Sequence, residues 1–250
     1  VNALSAEFAV QVWRDDKTRR VVFRQGKLVE DTDIQDYSGS EKRGTLIEFI
    51  PDNTKGIFEN YHFRSDFIET MMRNYAYLNT GLTLIYNGKK YSSKNGLFDL
   101  LTETMTVDPL YPIIHIKDED IEIALTHTDQ SGEEYHSFVN GQHTIQGGTH
   151  QAAFREAIGR TIKEFFNKNF ELSDIRNGVV GAIAINVSEP VFESQTKVKL
   201  GSKDMSPDGC LSVNKFVNDF VKQHLDNFLH KNPELTDVML QKIQDSEKER

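Results

Sequence analysis

The tripeptide Gln195-Thr196-Lys197 is the part of this chain best suited to chemistry on an anion. It follows an apolar run at residues 179–187 and the segment Ser188-Glu189-Pro190-Val191-Phe192-Glu193-Ser194. A lysine on a loop between a strand and a helix brings one compact positive charge on a long stem, which is what contact with a terminal phosphate requires. Taken alone, the tripeptide is also what a solvated turn looks like, because exposure is the ordinary state of lysine. Its weight comes from companions along the chain. These are Phe138-Val139-Asn140, Thr144-Ile145-Gln146-Gly147-Gly148-Thr149-His150, Phe154-Arg155 and Asp174-Ile175-Arg176-Asn177-Gly178. Val1-Asn2-Ala3-Leu4-Ser5 and Gly44-Thr45, ahead of Phe49-Ile50-Pro51-Asp52, complete the series.

Other residues offer weaker chemistry. Gly147-Gly148 suits a tight backbone turn into a helix. Thr149 stands where an N-cap hydroxyl is useful. His150 has the chemistry of a ligand or base, but a packing or hydrogen-bonding histidine at a helix end accounts for it more simply. Asp174 and Arg176 are expected to pair or cap locally. Glu30-Asp31-Thr32-Asp33 and Asp118-Glu119-Asp120 have no histidine or third ligand at metal spacing and read as exposed turns, so no metal site is expected. Cys210, the single cysteine, cannot form an internal disulfide and suits a reducing compartment.

Residues 8–14 and 20–25 alternate at period two and predict a hairpin across Asp15-Asp16-Lys17; residues 44–51 predict a third strand. Residues 64–77 have helical spacing with a glycine stop at Gly81, and Asn87-Gly88 predicts a tight turn between short strands. A connecting helix at residues 96–105 precedes Val107-Asp108-Pro109, the expected boundary. Strands are expected next at 113–116, 121–126 and 135–140, then an amphipathic helix at 150–167. The run at 179–187 predicts a strand buried on both faces. A long helix is expected at 211–229, and from Glu234 the tail is expected to continue helically into solvent.

The chain carries 38 acidic against 29 basic residues, net −9, so as a whole it should be repelled by nucleic acid; a basic DNA-binding domain is excluded. No apolar run approaches the roughly 20 residues that span a bilayer, so no membrane association is expected and a cytoplasmic location is the simplest reading.

Taken together, the motif series resembles the B subunit of bacterial type IIA DNA topoisomerases, the gyrase B and topoisomerase IV B family, over nearly the whole chain. The resemblance implies an α+β fold: the later part of a Bergerat (GHKL) ATP-binding sandwich at residues 1–95, then a ribosomal S5 domain 2-like transducer at 96–250 with a left-handed crossover. It implies that Lys197 reaches the γ-phosphate of ATP with Gln195 beside it, that Thr45 bonds the adenine edge or a bridging water, and that Ile47 flanks the ring. Arg155 resembles an arginine facing the passage for transported DNA. The implied partners are the A subunit in a heterotetramer of two A and two B chains, double-stranded DNA, and a second B subunit joined on ATP binding.

Members of this family carry, ahead of the matching segment, a glutamate base, an asparagine that binds Mg2+, an adenine-reading aspartate and a glycine-rich lid. No Asp-x-Gly-x-Gly or glycine-rich phosphate loop occurs here and the chain opens on Val1. It is therefore expected to be a portion of a longer protein and not a complete ATPase by itself. Two alternatives stand beside this reading. One is a non-catalytic dimerising scaffold; the other is a different GHKL ATPase, of the mismatch-repair MutL type or the heat-shock chaperone type. Gln195-Thr196-Lys197 after Pro-x-Phe-x-x, with Gly-Gly-Thr-His before it, favours the topoisomerase over both of the latter.

Overall fold

The computed structural model describes all 250 residues, which form two compact units, Val1–Ser65 and Asp66–Arg250. In the first unit a single turn of 3-10 helix at Asn2–Leu4 leads into β1 (Ser5–Arg14), which pairs antiparallel with β2 (Lys17–Arg24), Arg14 opposite Lys17. The turn residues Asp15 and Asp16 both have positive φ, 52° and 54°. Two-residue hairpins need that conformation to match strand twist, and aspartate tolerates it. β3 (Lys27–Asp31) extends the meander, β4 (Gln35–Asp36) pairs with the start of β2, and β5 (Gly44–Pro51) lies on the other side of β1. The expected hairpin and third strand are thus present. The acidic stretch at 30–33 is a correction: Glu30 and Asp31 belong to β3, and the Arg19 guanidinium grips Asp31 at 3.0 and 2.6 Å, holding its carboxyl down at about 2.

The second unit takes in α1 (Ser65–Leu78) beyond its first residue, a hairpin of β6 (Leu84–Tyr86) and β7 (Lys89–Tyr91) turning at Asn87-Gly88, and α2 (Leu97–Thr104). Residues 66–95 therefore belong by their contacts to the same unit as residues 96–250. A five-stranded sheet comes next, built from β8 (Ile114–Lys117), β9 (Ile121–His127), β10 (Glu133–Val139), β11 (Gln142–His143), and, after α3 (Thr149–Phe166) and α4 (Leu172–Arg176), β12 (Val179–Ile185). Its order is β11-β10-β12-β9-β8, and only β10 and β12 run parallel. A parallel pair needs a crossover connection, and the segment containing α3 and α4 supplies it.

β12 is apolar throughout because both of its faces are covered. Val179, Ile183 and Ile185 join the main core with Phe154, Ile158 and Val221, while Val180 and Ala182 meet Tyr77, Leu97, Leu100 and Leu101 on the other side. α5 (Val213–Lys231) packs against α3, its N-terminus capped by Ser212, whose hydroxyl accepts the Lys215 N–H at 3.1 Å. α6 (Pro233–Glu249) corrects the expectation of a helix running into solvent: Leu235, Met239 and Ile243 are buried in the main core, and Arg250 pairs with Asp174 at 3.1 Å. Asp174 and Arg176 consequently do not pair with each other; Arg176 turns to Glu133 at 3.3 Å.

His127 and His150 are both fully buried. The His127 Nε2–H donates to the Ile175 carbonyl at 2.7 Å, so its bare Nδ1 accepts the Tyr111 hydroxyl at 2.5 Å. Burial pushes both imidazoles down to about 4 from an ordinary 6.5. Below pH 6.5 the unfolded chain takes up protons that the folded chain refuses until about 4. The stability is therefore complete above pH 6.5 and drains as pH falls towards 4. Unfolding free energy should drop by about 2 kcal/mol between pH 6 and pH 5. Urea titrations across that window check this, and a flat profile would contradict it.

Candidate functional site

Residues 191–202, in the connection between β12 and α5, fold back as a short hairpin. Glu193 N–H donates to the Lys199 carbonyl at 3.0 Å, Phe192 bridges Leu200, and Gly201 and Ser202 both donate backbone N–H groups to the Val191 carbonyl at 2.9 and 3.0 Å. The tip is the turn 194–197, closed by the Lys197 N–H donating to the Ser194 carbonyl at 3.0 Å. Gln195, Thr196 and Lys197 are all exposed there.

Lys197 has φ 56°, the left-handed conformation, which costs a residue with a Cβ roughly 1–2 kcal/mol. Non-glycine residues held this way mark positions worth functional scrutiny. Its ammonium stands 6.0 Å from the centroid of the Phe192 ring and makes no ion pair. Lys199, two residues on, is paired with Glu193 at 3.0 Å. The loop thus has one neutralised lysine and one cation available for an anionic ligand.

The hairpin is fastened to the rest of the unit at two places. Near its entrance, Asn140 adopts φ 48° and grips Val187 from both sides: its Nδ2–H donates to the Val187 carbonyl at 2.8 Å and its Oδ1 accepts the Val187 N–H at 2.7 Å. Along one edge, residues 198–200 pair with residues 146–149 at the start of α3. Here the N-cap expectation is corrected. Gly148 occupies the cap position and Thr149 is the first helical residue, its hydroxyl donating to the Ser202 carbonyl at 2.7 Å. His150 lies wholly inside, its Nε2 3.1 Å from the Thr144 hydroxyl, as a packed residue.

Thr45 and Ile47 stand two apart on β5, so they share one face of that strand. Both are exposed, Ile47 by 57%. Arg155, half-exposed on α3, is bound to Glu133 by two hydrogen bonds of 2.7 and 2.6 Å, and the same carboxylate receives Arg176 and the Tyr135 hydroxyl at 2.9 Å. Burial works to raise the Glu133 carboxyl, but Arg155, Tyr135 and Arg176 together hold it below its ordinary value. No three His, Cys, Asp or Glu side chains gather into a metal-binding set.

Sequence reasoning singled out the tip residues but not the contacts that support them. The Gly148–Leu200 contact, the Thr149–Ser202 bond and the Phe192 ring beside Lys197 join positions that no periodicity relates. The sequence signals that bear on these contacts are the Gly147-Gly148 pair, read above as a tight turn, and the Asn140-Gly141 turn dipeptide.

Comparison with known proteins matches the DNA gyrase B family model to residues 66–250. The chain is 39% identical over 249 residues to the B subunit of DNA topoisomerase 4 from Borreliella burgdorferi, covering 99% of this chain and 39% of that one. It is 32% identical to the B subunit of DNA gyrase from Thermotoga maritima, covering 100% of this chain and 42% of the relative. The chain therefore spans well under two thirds of the length of either. The crystal structure of the ATPase domain of Thermus thermophilus gyrase B, in complex with an aminocoumarin, superposes with a TM-score of 0.77 at 26% identity, over 98% of this chain and 69% of that one.

Proposed function

Because the chain belongs to the family of B subunits of type IIA DNA topoisomerases, we propose that it is the phosphate-sensing and transducing portion of an ATP-operated DNA clamp. The observation that carries this reading is Lys197, a lysine without a counter-ion, held in a costly backbone conformation at the tip of an anchored hairpin. ATP, when bound, supplies the terminal phosphate whose loss distinguishes it from ADP. Lys197 pairs with that phosphate and Gln195 hydrogen-bonds beside it. A charge that contacts only the terminal group biases two conformations by its differential affinity, so ATP favours the closed clamp and hydrolysis releases it. Thr45 and Ile47 read the adenine, the hydroxyl at its polar edge and the isoleucine on its flat face.

In this reading residues 1–95 complete an ATP-binding domain and 96–250 form the transducer. Two B subunits join on ATP binding, close around double-stranded DNA and act with two A subunits, in the cytoplasm, to pass one duplex through another. Arg155 is the duplex-facing cation, and its pairing with Glu133 leaves only part of its charge for a phosphate. Mg2+ accompanies the nucleotide in this reading and is assigned to none of the residues here.

The test is strand passage by the B subunit that carries this chain, reconstituted with its A partner on plasmid and on interlinked circles. An ATP-dependent change of topology is expected, and supercoiling or decatenation tells gyrase from topoisomerase IV. No ATP-dependent change on either substrate would sink the proposal.

A further inference from the structure

We infer that Gly148 and Thr149 are positioning residues for Lys197, so that the start of α3 serves as the seat of the lysine-bearing hairpin. The functional half of this rests on the assignment of Lys197 to a terminal phosphate; the anchoring half does not. A two-stranded hairpin of this length is marginal in water by itself, and its tip would swing. A contact group displaced by about 1 Å can lose on the order of a hundredfold in rate, so a lysine that senses one phosphate needs a fixed base.

The seat is built from backbone. Gln146 N–H donates to the Val198 carbonyl at 2.9 Å, Leu200 N–H to the Gly147 carbonyl at 3.1 Å, and Thr149 N–H to the Leu200 carbonyl at 3.3 Å. The Leu200 side chain is buried in the main core, which locks the register. Gly148 is where the two segments touch. Its φ is 137°, and a Cβ there would lie 2.5 Å from the Leu200 carbonyl oxygen and 2.6 Å from the Leu200 nitrogen. Only glycine permits that approach. Thr149 then spends its hydroxyl on the Ser202 carbonyl, across 53 residues of chain, instead of on the N-terminus of its own helix. Two neighbouring residues thus hold both the middle and the far end of the hairpin's return strand. Neither needs to touch a nucleotide to matter.

Thr149→Val removes the hydroxyl and keeps the shape; Thr149→Ser keeps the hydroxyl. In the B subunit paired with its A partner, Thr149→Val should lower ATP turnover by about tenfold, roughly what one neutral hydrogen bond is worth. KM for ATP should stay within about twofold, and Thr149→Ser should restore turnover. Adding Thr149→Val to Lys197→Ala should cost nothing more, because both act through one side chain. An equal loss in both backgrounds would mean that Thr149 acts elsewhere and would overturn the inference.

A second readout separates this inference from the phosphate assignment. Trypsin cuts after Lys197 and Lys199, and mass spectrometry reports the rate in the native protein. Thr149→Val and Gly148→Ala should be cut several-fold faster there than the parent, and Thr149→Ser at the parental rate. If Lys197→Ala leaves turnover unchanged while these rates still rise, the phosphate reading fails and the anchoring stands. Unchanged cleavage in both variants would overturn the anchoring itself.

Discussion

Replacing Lys197 with alanine should lower DNA-stimulated ATP turnover by about a hundredfold or more in the B subunit assembled with its A partner. That is the usual cost of removing one charge or donor aimed at the reacting group, about 2.7 kcal/mol or more of transition-state stabilisation. Nucleotide binding should survive, since the proposed reading gives the adenine to other residues and a contact made chiefly at the terminal phosphate adds little to ground-state affinity. The local fold should also survive: the lysine is exposed, its side chain makes no ion pair, and alanine removes only a loose contact with the Phe192 ring. Lys199→Ala is the internal control. That residue is already neutralised by Glu193, and its loss should change turnover by less than about threefold. If Lys197→Ala turns over ATP at the parental rate, the proposed phosphate contact is elsewhere and the clamp reading loses its central residue.

Phe154→Ala carries the largest expected effect on stability, a loss of about 3–5 kcal/mol. Phe154 is 0% exposed on α3 and packs edge-on against Tyr135 with ring centroids 6.2 Å apart. It also lies over Gly181 of β12, where a Cβ would stand 3.1 Å from its ring. That glycine makes room for the ring, so shortening Phe154 leaves a void between helix and sheet that neighbours cannot easily fill. Chemical denaturation of the purified chain measures the loss. Ile145→Ala, at a site 67% exposed, should stay within about 0.5 kcal/mol of the parent. A Phe154→Ala loss below about 1 kcal/mol would show that α3 does not bear on β12 as described. Because α3 also begins at the seat of the lysine hairpin, a destabilised α3 should be accompanied by faster tryptic cleavage after Lys197.

The fold was legible in the sequence wherever one residue's neighbours along the chain determine its state. The period-two stretches of β1 and β2, the apolar run of β12 and the 3.6-residue spacing of α3 and α5 all record which faces are covered, and the structure places each within a few residues of its expected span. Turn dipeptides such as Asp15-Asp16 and Asn87-Gly88 were readable because their side chains tolerate positive φ. β3 was missed because Lys27–Asp31 is almost wholly exposed, so burial left no alternating signature in it. α6 was misjudged because Leu235, Met239 and Ile243 are spaced at four residues among many charges, a narrow stripe that looks solvated until a core is there to receive it.

The candidate site divides in the same way. The chemistry proposed for it comes from the sequence alone: a lysine on a loop after a buried strand, embedded in an ordered motif series that identifies the family. Which lysine lacks a counter-ion was decided only in three dimensions, because Glu193 reaches Lys199 and not Lys197 once the hairpin closes. The arginines that pair with Glu133 and Asp174, and the carbonyl that Thr149 reaches, were likewise settled by tertiary structure, lying between 22 and 76 residues away along the chain. Periodicity reports whether a side chain is covered, through the local geometry of helix and strand, but which distant atom meets it depends on how the sheet and helices pack together.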